Sequence, residues 1–383
     1  MNWFLTDEQK MIIETAREIA QKKILPVREK YDHEGTFPWD VVKAMADADL
    51  CGLYIPAEYG GLGGGVFELC LAVEELSKVC GGISLAMAAT ALGTFPLLLF
   101  GTDEQKKRYL PDIAAGKKLA AFGLTEANAG SDALGMKTTA KLDGDGYVLN
   151  GTKQWITNGE NAEIYTIIAV TNPAKGARGL SAFIVDKGTP GFSFGKHEDK
   201  MGIRASSTTE LVFQDCRVPK SNLLVREGMG AIVAINTLNY SRPGVGSQAL
   251  GIAAGALEDA VRYSRQRIQF GEPISSFQAV QHLLADMATQ IEAARALLYA
   301  TAKTIDAGEK HFAKESAMTK LFCSDVAMKV TIDAVQVMGG YGYMREYPME
   351  KRMRDAKITQ IYEGTNQIQR NEIALQLIKA AAG

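Results

Sequence analysis

A change from helical to β periodicity near residue 119, reversed near residue 228, constrains the fold more than any other feature of this sequence. Short segments rich in β-forming residues lie at 147–149, 155–157, 165–170, 182–185 and 210–213. Their spacing is typical of an antiparallel sandwich or barrel and not of a doubly wound sheet. Within this region, residues 143–146 (Asp-Gly-Asp-Gly) predict a turn, and Asn150-Gly151 predicts a hairpin.

Helix-forming sequence flanks this β region on both sides. Thr-Asp-Glu-Gln occurs at 6–9 and again at 102–105, and each copy predicts a capped helix start, with Pro26 limiting the first helix. Four long stretches at 251–267, 278–307, 314–338 and 366–381 predict a helix bundle. The predicted fold class is α+β, with an N-terminal helical domain (1–118), a middle antiparallel β domain (119–227) and a C-terminal four-helix bundle (228–383).

Composition and residue spacing exclude several classes of protein. The 42 Lys and Arg residues nearly balance the 44 Asp and Glu residues, so no basic surface for nucleic acid is expected. The uncharged stretch 80–101 is interrupted by three glycines and Pro96, which predicts a buried helix or loop and not a membrane span. The N-terminus does not resemble a secretion signal, and the five separated cysteines predict reduced thiols in a cytoplasmic protein. The four scattered histidines predict no metal site.

Two segments of the middle region suit a ligand, although each also has a plain structural explanation. Small residues at 122–132 (FGLTEANAGSD) let backbone N–H groups approach a ligand, but a polar connection between domains has the same composition. Trp155 and Thr157 are two apart on a predicted strand and therefore share a face. An indole beside a hydroxyl suits a flat heterocycle, whereas a half-buried core tryptophan is the structural alternative.

Three C-terminal segments are open to the same two interpretations. Arg267 and Phe270 suit a phosphate and a ring, or they belong to a solvated helix end. The glycines within 336–343 let the backbone approach a ligand, or they end a helix. Glu363 precedes Gly364 and a new helix, so it is either a base whose pKa burial would raise or a residue near a helix start.

Together and in this order, these segments resemble the acyl-CoA dehydrogenase family over residues 4–379. Leu-Thr-Glu at 124–126 with Ala-Gly-Ser-Asp at 129–132 is similar to one family signature, and 281–286 with 336–342 is similar to the other. Trp-Ile-Thr-Asn-Gly at 155–159 and Ile-Tyr-Glu-Gly-Thr at 361–365 complete the resemblance, which points to short-chain, butyryl-CoA dehydrogenase-like bacterial members. It implies one FAD per subunit, a homotetramer, an acyl-CoA substrate and electron transfer to an electron-transferring flavoprotein.

The resemblance also implies roles for individual residues. Glu363 matches the catalytic base, which takes the α-proton of the thioester while a hydride leaves the β-carbon. The residues that match FAD contacts are Phe122, Leu124, Thr125, Gly130, Ser131, Trp155, Ile156, Thr157, Arg267, Phe270, Gln278, Gln336, Val337, Met338, Gly339, Gly340, Thr365, Asn366 and Gln367. Those that match acyl-CoA contacts are Ser131, Asn239, Tyr240, Ser241, Arg242, Tyr362 and Gly364. Arg267, Gln278 and 336–340 match residues that hold FAD across a subunit boundary.

The acyl group and the electron acceptor are less constrained. In the family, the segment matching 83–99 lines the acyl pocket with the residue matching Tyr362. Here it carries no charge, which disfavours a glutaryl group, and its small residues leave width for a butyryl-like, branched or alicyclic group; they are Ala86, Ala88, Ala89, Ala91 and Gly93. An acyl-CoA oxidase is one alternative, although oxidases of this fold are usually longer. A non-catalytic acyl-CoA-binding or assembly module is the other, and the presence of Glu363, Trp155 and Thr157 argues against it.

Overall fold

The computed structural model describes residues 4–381, and its first part is helical. The helices are α1 (Asp7–Ile19), α2 (Arg28–Glu34), α3 (Trp39–Asp47), α4 (Val66–Ser77), α5 (Gly81–Phe100) and α6 (Asp103–Ala114). Both predicted capping boxes are present, since the Thr6 and Thr102 hydroxyls accept hydrogen bonds from the N–H groups of Gln9 and Gln105, each at 3.2 Å. A π-helical turn extends α1 to Ile24, and the helix ends before Pro26.

One eight-stranded sheet follows the first helices. Its strands are β1 (Ala120–Gly123), β2 (Thr139–Asp143), β3 (Gly146–Thr157), β4 (Ile164–Val170), β5 (Leu180–Asp186), β6 (Phe192–His197), β7 (Thr208–Pro219) and β8 (Leu223–Leu224). The strand order is β6-β7-β3-β2-β4-β5-β8, with β1 paired to β4. Most neighbouring strands pair antiparallel, as predicted, but β4 runs parallel to β1 and to the start of β2. Parallel neighbours need a crossover, and the chain between β1 and β4 provides one.

The hairpin predicted at Asn150-Gly151 is wrong. The turn lies at 143–146, where β2 meets β3, and β3 continues through residue 150 with a bulge between Leu149 and Gly151. Gly151 has a φ of +144°, and a Cβ there would lie 2.5 Å from the Thr138 hydroxyl. A glycine is therefore required at residue 151 by close approach and backbone conformation, not by a two-residue turn.

Helices return after the sheet, and the first is longer than predicted. They are α7 (Gly230–Gln266), α8 (Gln278–Asp306), α9 (Ala313–Met338), α10 (Gly340–Tyr343), α11 (Met349–Thr359) and α12 (Asn366–Ala381), with a small hairpin of β9 (Ile268–Gln269) and β10 (Glu272–Pro273) after α7. Helix α7 contains Pro243, which cannot donate a hydrogen bond to the Asn239 carbonyl one turn earlier. The Ser316 hydroxyl of α9 donates to that carbonyl at 2.6 Å, so packing satisfies a group that the proline leaves unpaired.

Helix α5 brings the three parts of the fold together. It is long and apolar enough to cross a membrane, the one such helix among residues 4–381, but 72% of its apolar window is buried inside the protein. It packs against α7 and against β1. A Cβ at Gly93 would lie 2.5 Å from the Ala121 nitrogen, so the glycine permits the close approach of helix and strand. As predicted, 80–101 is mostly buried, and residues of α5 and α7 together with the ends of β1 and β3 surround one cleft.

Candidate active site

The cleft between α5, the sheet and the C-terminal helices has a volume of about 200 Å³. It contains many of the predicted site residues, although they lie far apart in the sequence. Its lining residues are Leu85, Ala89, Leu92, Phe122, Leu124, Thr125, Gly130, Ser131, Ala133, Trp155, Ile156, Thr157, Leu238, Arg242, Tyr362, Glu363, Gly364 and Ile368. The structure therefore places twelve of the predicted residues around one cavity.

The last residues of β3 form the sheet side of the cleft. Trp155 has a φ of +57° and lies in a bulge of the β3–β7 pairing, so simple strand alternation does not describe its orientation. Trp155 is 54% exposed and lies outside the hydrophobic core, which argues against the alternative of a core tryptophan. Trp155 and Thr157 nevertheless line the same cleft.

A buried lysine that sequence reasoning missed holds the loop beside Trp155. The Lys153 Nζ donates to the Leu124 carbonyl at 3.0 Å and to the Glu126 carboxylate at 2.9 Å. Glu126 also accepts hydrogen bonds from the N–H groups of Lys137 and Thr138. Burial lowers the pKa of Lys153 to about 8, although Glu126 opposes the shift. The ion pair joins β3 to the loop that carries Thr125, so it fixes one edge of the cleft.

The sheet side fits a flat heterocycle with polar edges. The hydroxyls of Thr125, Ser131 and Thr157 make no hydrogen bond to any other residue within 4–381, although all three line the cleft. A Cβ built at Gly130 would meet no atom within 4 Å. The exposed indole can stack on the isoalloxazine ring of FAD, and the hydroxyls and the accessible backbone at Gly130 can hydrogen-bond to its polar edge. The residues present therefore fit this cofactor.

Glu363 lies on the opposite side, in the turn between α11 and α12. Its φ is +52° and that of Gly364 is +90°, so two consecutive residues have left-handed backbone conformations. The φ of +90° explains the glycine at 364, and a Cβ there would also approach the Gln369 side-chain nitrogen to 2.7 Å. Left-handed conformations at residues other than glycine cost on the order of 1–3 kcal/mol and persist where surrounding contacts hold them.

Burial raises the pKa of the Glu363 carboxyl above its ordinary value, and three neighbours partly oppose the shift. The Ser241 hydroxyl donates to its carboxylate at 2.5 Å, and Arg242 and Lys320 contribute positive charge. Among the hydrogen bonds within residues 4–381, none is donated by the Glu363 N–H. The site therefore combines a desolvated carboxylate with an available N–H donor beside it.

Arg242 is buried next to this carboxylate without forming an ion pair with it. One terminal nitrogen donates to the Asn239 side-chain oxygen at 2.9 Å, and its Nε has no partner within residues 4–381. Burial lowers the pKa of Arg242, while the Glu363 and Glu372 charges raise it. A cation with an unused donor on the cleft wall is suited to a polar or anionic part of a ligand.

The α5 side of the cleft is apolar and ends close behind Glu363. Leu85, Ala89 and Leu92 line the main cavity. A second space of about 10 Å³ lies beyond it; its lining includes Leu69, Ala88, Phe95, Val245 and Gln248. The Tyr362 hydroxyl donates to Gln248 across this end. Of the five small residues predicted to give width, Ala86, Ala91 and Gly93 line neither space, because the helix turns them towards the protein core.

Several predicted residues do not line the cleft. Arg267 follows the last residue of α7, and its guanidinium lies 5.2 Å from the ring centroid of Tyr341. Phe270 is 95% exposed. The residues that are exposed outside the cleft are Gln278, Gln336, Gly339 and Gly340. Val337 and Met338 are buried in α9. Their role in binding FAD stays a prediction that concerns a second subunit.

The other predicted contacts lie around the Glu363 turn. Asn239 and Tyr240 lie behind Arg242, and the Tyr240 ring contacts Phe95 and Phe312. Thr365 and Gln367 lie at the start of α12, and the Asn366 side chain is buried and hydrogen-bonded to Lys320 and Ser324. No sequence pattern marks Lys320, because a lysine in a helix-forming stretch is usually exposed.

Comparison with known families gives matches over almost the whole chain. The N-terminal, middle and C-terminal domains of acyl-CoA dehydrogenase match residues 6–117, 121–216 and 228–378. Acryloyl-CoA reductase (NADH) of Anaerotignum propionicum is 50% identical over 381 residues, which is 99% of this chain and 96% of that protein. All three parts of the described fold thus have counterparts in one family, in the same order.

Solved structures agree with this match. Butyryl-CoA dehydrogenase of Megasphaera elsdenii is 48% identical with a TM-score of 0.96, and 99% of this chain and 100% of that chain are covered. A chain from a structure described as an electron transferring flavoprotein of Acidaminococcus fermentans is 51% identical with a TM-score of 0.96, covering 98% and 99%. The prolyl acyl carrier protein oxidase AnaB is 34% identical with a TM-score of 0.93, covering 97% and 99%. An oxidase can therefore be as short as this chain, and the length argument against an oxidase does not hold.

Proposed function

Because this chain belongs to the acyl-CoA dehydrogenase family, we propose that it is an FAD enzyme that removes two hydrogens from carbons 2 and 3 of a short-chain acyl-CoA thioester. The observation that carries the proposal is the position of Glu363, a desolvated carboxylate between an apolar recess and the open wall of Trp155 and Thr157. Bound FAD supplies the acceptor for the hydride that leaves the β-carbon.

Glu363 acts as the general base for the α-proton. Its raised pKa makes the carboxylate a stronger base than an exposed glutamate, although it must remain ionised to accept a proton. The Ser241 hydrogen bond and the charges of Arg242 and Lys320 favour the ionised form. Burial and these neighbours together set the balance between basicity and ionisation.

The same turn supplies a hydrogen-bond donor that can stabilise negative charge on the thioester oxygen. As the α-proton leaves, negative charge develops on the thioester oxygen, and a donor directed at that oxygen stabilises it. The N–H of Glu363 has no partner within residues 4–381, so it is available as that donor. Arg242 lines the cleft, and its second terminal nitrogen makes no hydrogen bond within residues 4–381, so its guanidinium is available for polar parts of the substrate.

The recess behind Glu363 supports a small acyl group. Phe95, Val245 and Gln248 line the small second space, and the Tyr362 hydroxyl of the main cavity donates to Gln248. A butyryl-like chain is our first choice and a branched or alicyclic group the second. No charged side chain lies between residues 80 and 100 to anchor a second carboxylate on the substrate.

The partners follow from the relatives and from the surface residues. We infer an electron-transferring flavoprotein as acceptor, a homotetramer in which Arg267, Gln278 and residues 336–340 reach the FAD of another subunit, and a cytoplasmic location. The structure of the Acidaminococcus flavoprotein supports the acceptor, and the position of Arg267 outside the cleft supports the shared cofactor site. The acryloyl-CoA reductase relative favours a second candidate, in which the same residues serve reduction of an enoyl-CoA.

Anaerobic mixing of the purified holoenzyme with a panel of acyl-CoA thioesters tests the proposal. Butyryl-CoA should bleach the flavin absorbance, and long-chain thioesters should do so much more slowly. Absence of bleaching by every thioester would contradict the proposed dehydrogenation and leave a binding module. Comparing oxygen with an electron-transferring flavoprotein as acceptor separates an oxidase from a dehydrogenase. Reoxidation of reduced enzyme by an enoyl-CoA tests the reductive direction.

A further inference from the structure

Lys320 is buried in the C-terminal helices and contacts the turn that carries Glu363. Its side chain, in the middle of α9, has 0% exposure. The Nζ donates to the Gly364 carbonyl at 2.8 Å and to the Asn366 side-chain oxygen at 2.9 Å. It forms no ion pair within residues 4–381, since neither acceptor is charged. A buried lysine without a carboxylate partner is costly, so its location calls for a reason.

The contacts of Lys320 fix the strained part of the turn. The Gly364 carbonyl accepts from Lys320 and from the Gln369 side chain, which also donates to the Glu363 carbonyl at 3.1 Å. Asn366 in turn donates to Ser324 and to Asp325. Each carbonyl of the two left-handed residues is therefore held by a side chain, one cationic and one neutral.

We propose that Lys320 is a positioning residue for the base: its ammonium group holds the Glu363–Gly364 turn in the conformation that directs the carboxylate into the cleft, and its charge favours the ionised carboxylate. The inference rests on the proposed function, because Glu363 must be the base for its position to matter. Lys320 itself does not line the cleft.

Few charged side chains surround the Glu363 carboxylate and the Lys320 ammonium group. From α7, Arg242 and the Ser241 hydroxyl face Glu363, Lys320 approaches it from α9, and Tyr362 precedes it in the turn. Lys320 in turn feels Glu363, Arg242 and Asp325. Burial lowers the pKa of Lys320 to about 7. Loss of this cation removes one of two positive charges that favour the Glu363 carboxylate, so the pKa of Glu363 should rise further.

Lys320→Met tests both parts of the proposal in the holoenzyme. We expect the limiting rate of anaerobic flavin reduction by butyryl-CoA to fall at least about tenfold, since small misplacements of a reacting group are costly. The acid limb of the pH profile should move to higher pH. Binding of the enoyl-CoA product, which requires no proton transfer, should change less than about threefold.

Two further variants separate charge from geometry and from general damage. Gln369→Met removes the neutral contact with the same carbonyls, so it should lower the limiting rate without moving the acid limb. Lys329→Met lies on the same helix in an exposed pair with Asp333 and should change neither quantity. If Lys320→Met does not fold, Lys320→Gln replaces it in the same measurements, because glutamine removes the charge but keeps a polar side chain.

The outcomes distinguish this inference from the proposed function. The positioning role alone would be overturned if the wild type is bleached but a folded, FAD-loaded Lys320 variant keeps the wild-type limiting rate. An acid limb that stays at the wild-type pH in that variant would overturn it as well. Failure of the wild type with every thioester would refute the proposed function. A lower rate accompanied by the shifted acid limb, with Lys329→Met unaffected, supports the role of Lys320.

Discussion

At the scale of single residues, the chemistry depends on how burial changes ordinary side chains. Burial raises the pKa of the Glu363 carboxyl, which would make it a stronger base than an exposed glutamate, whereas Ser241, Arg242 and Lys320 favour its ionised form. The same residues on an exposed turn would leave the pKa of the glutamate close to its ordinary value. The essential property is therefore the position of Glu363 at the junction of α7, α9 and the sheet.

Glu363→Gln should abolish flavin reduction while leaving the fold and the FAD content nearly unchanged. Loss of a positioned general base costs roughly two to four decades in rate. Glu363→Asp should give an intermediate rate, because the shorter side chain holds the base farther from the α-carbon. Stopped-flow reduction under anaerobic conditions measures all three proteins. Near-native reduction by the glutamine variant, with normal FAD content, would mean that another residue is the base.

The pH dependence of the wild type follows from the same carboxylate. Its pKa is raised and only the ionised form accepts a proton, so the limiting rate should rise with pH through a value above that of an exposed glutamate. At lower pH the protonated carboxyl is inactive. Reduction rates measured across acid and neutral pH test this sign. A rate that falls over that range as pH rises would contradict the assignment.

Sequence reasoning identified the residues that line the cleft better than the residues that support them. Glu363, Trp155 and Thr157 lie in motifs with several fixed neighbours, and the fold brings them together at one cleft. Lys153 and Lys320 carry no such mark, because their burial depends on the packing of distant elements. A lysine predicts an exposed charge until the fold is known.

At the scale of elements, tertiary contacts override two local preferences. Asn150-Gly151 would form a hairpin in isolation, but the pairing of β3 with β7 and the approach of Thr138 keep the strand continuous. Pro243 would end a helix in isolation, but Ser316 satisfies the carbonyl that the proline leaves unpaired. Neither partner is near in sequence, so local preference alone could not predict either outcome.

Ser316→Ala should destabilise the protein through this carbonyl. The hydroxyl and the Asn239 carbonyl are buried, and an unsatisfied buried acceptor costs about 1–3 kcal/mol. The loss should be smaller in Ser316→Thr if the hydroxyl is retained in place. Thermal unfolding of matched FAD-loaded samples measures the change. A Ser316→Ala variant as stable as the wild type would argue against a structural role for this hydrogen bond.

Glu126→Gln should weaken the loop that holds Thr125, because it leaves the Lys153 cation buried without its carboxylate. Breaking a buried pair costs on the order of 3–5 kcal/mol. The pKa of Lys153 should then fall below its present value of about 8, so folding at neutral pH would exclude a proton that the unfolded chain binds. The stability deficit should therefore be larger near about pH 6.5 than near about pH 9. Unfolding measured at both values tests it, and a constant deficit would contradict the coupling.

At the scale of the whole molecule, the residues predicted to contact FAD fall into two groups, one inside the cleft and one outside it. The cleft collects the residues of the sheet side and of the Glu363 turn, whereas Arg267, Phe270 and Gln278 lie beyond it near the end of α7. Phe270 is almost fully exposed, so its ring is available to a group outside the chain. Contacts between copies of a chain are not encoded in the periodicity of one copy, so the sequence predicted them through family resemblance alone.

Arg267→Ala should release FAD and weaken the assembly together. The Arg267 guanidinium contacts the Tyr341 ring and has no ion-pair partner within residues 4–381, so its charge is available to an anionic group from outside the chain. A pyrophosphate bridging two subunits would couple cofactor content to oligomerisation. Arg265→Ala, exposed two residues earlier on α7, is the matched control and should keep both properties. Sedimentation and FAD absorbance, measured on the same samples, test the coupling. An Arg267→Ala variant that stays fully flavinylated, or one that loses FAD without any change in assembly, would contradict a cofactor site shared between subunits.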